Sequence, residues 1–198
     1  SVVGTDTICA FAAGCPVIVK AHPAHPGTCE LTAEAVIAAL QKHGLPSGCF
    51  SLLQGASKKT GQAIVQHPDL SAVAFTGSLM GGRAIMDAAA ARKKPIPVFA
   101  EMGSLNPVFL LPEALKKRSK DIATGFLNSL TMGVGQFCTN PGVLLALDSP
   151  ELDDFLKHLS DGIGRIQPRT MLHSGIFQNY NSILKIFCQT QGVRIHTR

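Results

Sequence analysis

The chain has 198 residues, of which 45% are apolar and 16% charged, and its formal net charge is +5. That length buries a substantial core in one large or two small domains; no apolar run is long enough to span a membrane, and the opening residues 1–6 lack the basic region of a secretory signal, so a soluble cytoplasmic protein is expected. The compact basic runs, Arg92-Lys93-Lys94 and Lys116-Lys117-Arg118, have no interleaved aromatics and read as solvated faces, which argues against nucleic-acid binding.

In chain order, residues 8–13 read as the end of a helix capped by Gly14, and residues 15–20 as a β-branched strand. Pro26-Gly27-Thr28 opens a second helix, in which Leu31, Ala35, Ile37, Ala38 and Leu40 recur at helical spacing until Gly44 ends it. A strand at 50–53 completes a β-α-β unit. The rhythm continues with a helix at 61–67, a strand at 72–76, a helix at 82–91 and a strand at 96–100. Strands alternating with helices predict an α/β fold with a doubly wound parallel sheet, Rossmann-like in its first part. After Gly103 the pattern changes to a strand near 108–111, a long helix over about 113–131 and a strand at 143–147. A dinucleotide-binding domain over 1–103 and an α/β catalytic domain over 104–198 are therefore expected. The last fifty residues predict a helix at 150–159, a looser region through Gln167-Pro168-Arg169 and an amphipathic stretch at 180–187.

Two residues stand out chemically. Cys138 lies in Gly133-Val134-Gly135-Gln136-Phe137-Cys138-Thr139-Asn140-Pro141-Gly142, where small residues flank a thiol in a stretch that otherwise reads as helical. Glu101 is a lone carboxylate closing the apolar run at 96–100. A thiol with a separate base suits covalent catalysis followed by hydrolysis, with Gly133 and Gly135 leaving room for a carbonyl or a flat ring to reach backbone amides. The bland alternatives are a buried apolar cysteine and a solvated strand-end carboxylate. Gln136 reads as a residue that shapes the turn.

The six cysteines, at 9, 15, 29, 49, 138 and 188, contain no Cys-x-x-Cys pair and no histidine at zinc-ligand spacing, so neither a disulfide framework nor a metal site is indicated. His22 and His25, three apart among prolines, read as loop residues. The segment 71–82 reads as strand, turn and helix start, with Ser78 as cap and an anion expected at the first amides. Its glycine spacing is not the dinucleotide fingerprint, and a glycine turn before a surface helix is the commoner explanation. Lys20 closes a strand at the sheet edge where doubly wound folds take ligands.

Four segments in one order resemble the aldehyde dehydrogenases: residues 12–20 ending on Lys20, Phe75-Thr76-Gly77-Ser78 with Gly82, Glu101-Met102-Gly103 with Asn106-Pro107, and Gly135-Gln136-Phe137-Cys138. The wording of residues 20–27 and 99–112 is similar to the branch that acts on oxo-acid semialdehydes such as 2,5-dioxovalerate, which also resembles NADP-dependent fatty aldehyde dehydrogenases.

The resemblance implies oxidation of a small-molecule aldehyde to its carboxylate, with Cys138 as nucleophile and Glu101 as the base of hydrolysis. It implies a cofactor site drawing on Lys20, His22, Pro23, Lys58, Thr76, Gly77, Ser78, Gly82, Met102 and Gly103. Many NAD-specific relatives carry an acidic residue where Pro23 stands; its absence, with Lys58 or Lys59 in the loop after the strand at 50–53, favours NADP, with NAD possible. It further implies a homo-oligomer and a central piece of a longer enzyme, lacking an oxyanion asparagine before the first helix and a later Glu-x-Phe segment. The alternative from another class is a nucleotide-binding or oligomerisation fragment without activity of its own.

Overall fold

The computed structural model describes residues 2–196, which divide into two compact units meeting between Met102 and Gly103. The first unit carries α1 (Thr5–Ala12), β1 (Val17–Lys20), α2 (Pro26–Lys42), β2 (Phe50–Leu53), α3 (Lys58–Gln66), β3 (Val73–Gly77), α4 (Leu79–Ala90) and β4 (Val98–Met102). The second carries β5 (Pro107–Leu110), α5 (Pro112–Thr131), β6 (Val143–Ala146), α6 (Pro150–Ile163) and α7 (Ser174–Gln189). The fold is α/β with parallel strands, as the alternating pattern predicts. The strands pair as β1–β2, β3–β4 and β5–β6, each parallel, and among the described residues no ladder joins one pair to another.

In β3 and β4 half-buried and exposed positions alternate over Val73–Thr76 and Val98–Met102, and α4 packs on the half-buried face against Phe75 and Met102. In the first unit Phe50, Ala21, Cys29, Ala33 and Val2 form a buried cluster, with Phe11, Val17 and Leu40 packed around it. In the second, Phe155 is fully buried with Leu110, Leu115 and Ala123, and its ring meets Phe126 edge-on at 6.2 Å. Gly162 lets α6 come close to α5, since a Cβ there would lie 2.5 Å from Leu127 Cδ2.

Several boundaries differ from the sequence reading. The helix expected over 113–131 is kinked at Arg118, with φ −146° and ψ 28°. The amphipathic stretch expected at 180–187 is part of a longer helix, α7, on which Phe177, Tyr180, Ile183 and Ile186 are exposed. Helix α4 starts at Leu79, three residues before the expected start at Gly82, because the Ser78 hydroxyl accepts from Gly81 N at 3.1 Å and caps it there.

Arg92 corrects the reading of its basic run as a solvated face. Its guanidinium donates to the backbone carbonyls of Val65, of His67 at 2.8 Å, of Pro68 at 3.2 Å and of Leu70 at 3.0 Å, while Nε donates to Lys94 O at 3.2 Å. One side chain thereby ties the end of α3 and the loop before β3 to the end of α4. A planar fork of five N–H donors suits this task; a lysine ammonium does not.

Candidate active site

In the first unit, the carboxyl ends of two strand pairs carry the predicted cofactor residues. Register pairs Lys20 with Leu53 at the end of β1–β2, and Thr76 with Glu101 and Gly77 with Met102 at the end of β3–β4. Thr76 and Glu101 share the exposed face, whereas Phe75 and Met102 point to the face covered by α4. The strand does not stop before Glu101, as its sequence suggests; β4 runs on through Met102, so Glu101 sits within a ladder rather than beyond it.

The need for glycine at 77 and 82 is internal. A Cβ on Gly77 would lie 2.6 Å from the Phe75 ring, and one on Gly82 would lie 2.1 Å from Met102 Sδ. Gly82 is buried, and the space beside it is filled by the Met102 side chain. Ser78, Leu79 and Met80 at the mouth of α4 are exposed, so it is the capped first turn that leaves backbone amides open to an anion.

At the β1–β2 end, Lys20 is partly exposed, and Gln54 Nε2 donates to Glu30 Oε2 at 2.9 Å and to Pro26 O at 3.3 Å. The sequence reading missed this carboxylate, which reaches the same edge from the first turns of α2. The rings of His22 and His25 stack at 4.9 Å with 12° between their planes, and His25 Nδ1 lies 3.3 Å from Cys29 Sγ. Pro23 is exposed between them. Lys58 is not in a loop but is the first residue of α3, capped by Ser57, whose hydroxyl accepts from Lys59 N at 3.1 Å.

The second unit holds the thiol. Cys138 is exposed and lies in a turn, not in helix. The helical reading fails because the 3-10 turn Met132–Gly135 passes through left-handed backbone at Gly133 (φ 56°), Val134 (φ 61°) and Gly135 (φ 70°). Nor is the space at Gly133 open to a substrate: a Cβ there would lie 2.3 Å from the Phe137 ring, which covers it.

Local and long-range polar contacts hold this turn. Gln136 Nε2 donates to Gly133 O at 2.9 Å, as a turn-shaping residue should, and its Oε1 also accepts from Leu172 N at 3.0 Å. Asn140 Nδ2 donates to Leu130 O at 2.7 Å, and Gly142 N donates to Leu105 O at 2.8 Å. Asn106 Nδ2 donates to Cys138 O at 2.7 Å and to Asn140 O at 2.8 Å; the Ser104 hydroxyl also donates to Cys138 O. The thiol is thus presented from a backbone fixed at both ends, an arrangement that suits a preorganised nucleophile. Gly103 opens this unit at φ 69°. Among the described residues no group of three or more His, Cys, Asp or Glu side chains could hold a metal.

The aldehyde dehydrogenase family profile matches residues 1–172. This chain belongs to the aldehyde dehydrogenase family. It is 52% identical over 194 residues to alpha-ketoglutaric semialdehyde dehydrogenase 2 of Azospirillum brasilense, covering 98% of this chain and 37% of that protein. It is 42% identical over 194 residues to the alpha-ketoglutaric semialdehyde dehydrogenase of Acinetobacter baylyi, covering 98% and 36%. The chain therefore spans little more than a third of the length of these family members. Among solved structures, an NAD-dependent benzaldehyde dehydrogenase from Corynebacterium glutamicum superposes with a TM-score of 0.80 at 18% identity, covering 97% of this chain and 42% of that one. A proline utilization A (PutA) variant from Bradyrhizobium japonicum gives 0.79 at 22%, covering 92% and 19%. These two likenesses establish the aldehyde dehydrogenase fold of this region.

Proposed function

We propose that the intact protein oxidises alpha-ketoglutaric semialdehyde, or a closely similar oxo-acid semialdehyde, to the carboxylate with a nicotinamide dinucleotide. The observation that carries this reading is the 52% identity, over 98% of the chain, to a relative bearing that activity in its name. Cys138 Sγ adds to the aldehyde carbon, converting the carbonyl to an oxyanion. Oxidation at that carbon leaves the acyl group on sulfur as a thioester. Glu101 then takes a proton from water, whose oxygen attacks the acyl carbon, and the thiolate leaves. The dinucleotide supplies the hydride acceptor when bound.

The residues present fit such a cofactor. The Ser78-capped turn of α4 offers amides to a pyrophosphate, Lys20 offers an ammonium to ribose or phosphate oxygens, and exposed Thr76 and Gly77 leave the strand end accessible. NADP is the preferred form in this reading, because uncharged Pro23 does not repel a 2′-phosphate and Lys58 adds charge at the start of α3. Glu30 opposes this from α2, held back toward Gln54 by its hydrogen bond.

The test is NADPH formation from alpha-ketoglutaric semialdehyde by the intact protein. Cys138→Ser abolishes it if the reading holds, and undiminished turnover in that variant refutes it. A second reading is that this stretch alone holds the nucleotide edge and the thiol without completing a site. The exposed apolar side chains Ile18, Phe99, Phe109 and Leu145 on the uncovered strand faces favour it. Activity of the 198-residue chain by itself would exclude that second reading.

A further inference from the structure

Among the described residues, Asn106 is the one side chain that donates to two carbonyls of the Cys138 turn. We propose that Asn106, seconded by Ser104, is a positioning residue that sets the reactivity of the Cys138 thiol by locking the Cys138 and Asn140 carbonyls from the position just before β5. The proposal rests on the reading of Cys138 as nucleophile.

The chemistry of the side chain fixes its orientation. Nδ2 carries two hydrogens, and the two shortest contacts, 2.7 Å to Cys138 O and 2.8 Å to Asn140 O, account for both; Ser104 Oγ lies farther, at 3.2 Å. The reversed amide would set Oδ1 against two carbonyl oxygens, so only this orientation is satisfied. The backbone of Asn106 stands at φ 44°, a left-handed conformation that asparagine tolerates and most side chains do not. An asparagine here therefore meets two demands at once, a donor pair and an unusual φ.

Locking the Cys138 carbonyl fixes the torsions that aim Sγ. The bonds span 32 and 34 residues, so they tie the thiol's turn to the root of β5 rather than to its own neighbours.

The test is iodoacetamide labelling of the intact protein, read by peptide mapping as the rate at Cys138 relative to exposed Cys9. Asn106→Gly removes the donors while tolerating the positive φ. We expect its relative rate to fall about tenfold, with kcat falling in step and KM unchanged. Ser104→Ala removes one of the two donors to the same oxygen and should fall about threefold. A folded Asn106→Gly with the wild-type rate overturns the proposal. If that variant fails to fold, a folded Ser104→Ala with an unchanged rate overturns it instead. Wild-type Cys138 labelling no faster than Cys9 would overturn the nucleophile reading itself, an outcome distinct from either.

Discussion

Arg92 and Asn106 perform one mechanical task with different chemistry. Each reaches across more than twenty residues of sequence to seize backbone carbonyls that no strand or helix satisfies. Arg92 is charged, spreads over several carbonyls and holds a loop with no role in the proposed chemistry. Asn106 is neutral, holds two carbonyls and carries the turn of the candidate nucleophile. The difference teaches that one task can be done with or without charge: a charge-assisted clamp anchors a framework loop, and a neutral one holds the turn of the candidate nucleophile without placing an ion beside it.

The largest expected effect is at the framework clamp. Arg92→Ala should destabilise the first unit by about 3 kcal/mol in chemical denaturation, since several carbonyls lose charge-assisted donors. It should leave the relative labelling of Cys138 untouched; a change there would merge the two clamps into one. Next comes Gly133→Ala, which forces a side chain into left-handed backbone and against the Phe137 ring, with a cost of about 2 kcal/mol in the melting of the second unit. Here labelling of Cys138 should change with stability, unlike the Arg92 case. Asn140→Ala removes the bond to Leu130 O and should cost about 1.5 kcal/mol while slowing Cys138 labelling. Smallest is Ser78→Ala, which uncaps α4 for about 1 kcal/mol and should raise the dissociation constant of dinucleotide measured by calorimetry, with no effect on the thiol.

Much of the framework was legible in the sequence. The β-α-β rhythm, the strand at Phe50–Leu53 and the cap at Ser78 follow from periodicity and capping chemistry, which act over a few residues. The turn around Cys138 was not legible, because glycines amid apolar residues read as helix until the left-handed torsions at Gly133, Val134 and Gly135 are seen. Lys58 was misplaced for a related reason: Ser57 caps a helix that the following polar residues disguise. The Asn106-Pro107 pair was visible as a motif, but its role was not, since its partners lie over thirty residues away.

The sequence by itself determined the family, the parallel α/β class and the two candidate side chains worth testing, because each depends on local pattern or on an ordered set of short motifs. Only the tertiary structure decided why the glycines are there, what Arg92 does and which side chain holds the thiol's turn. Those facts are set by hydrogen bonds and close contacts between residues far apart in the chain, and no window of neighbouring residues encodes which carbonyl a distant amide will meet.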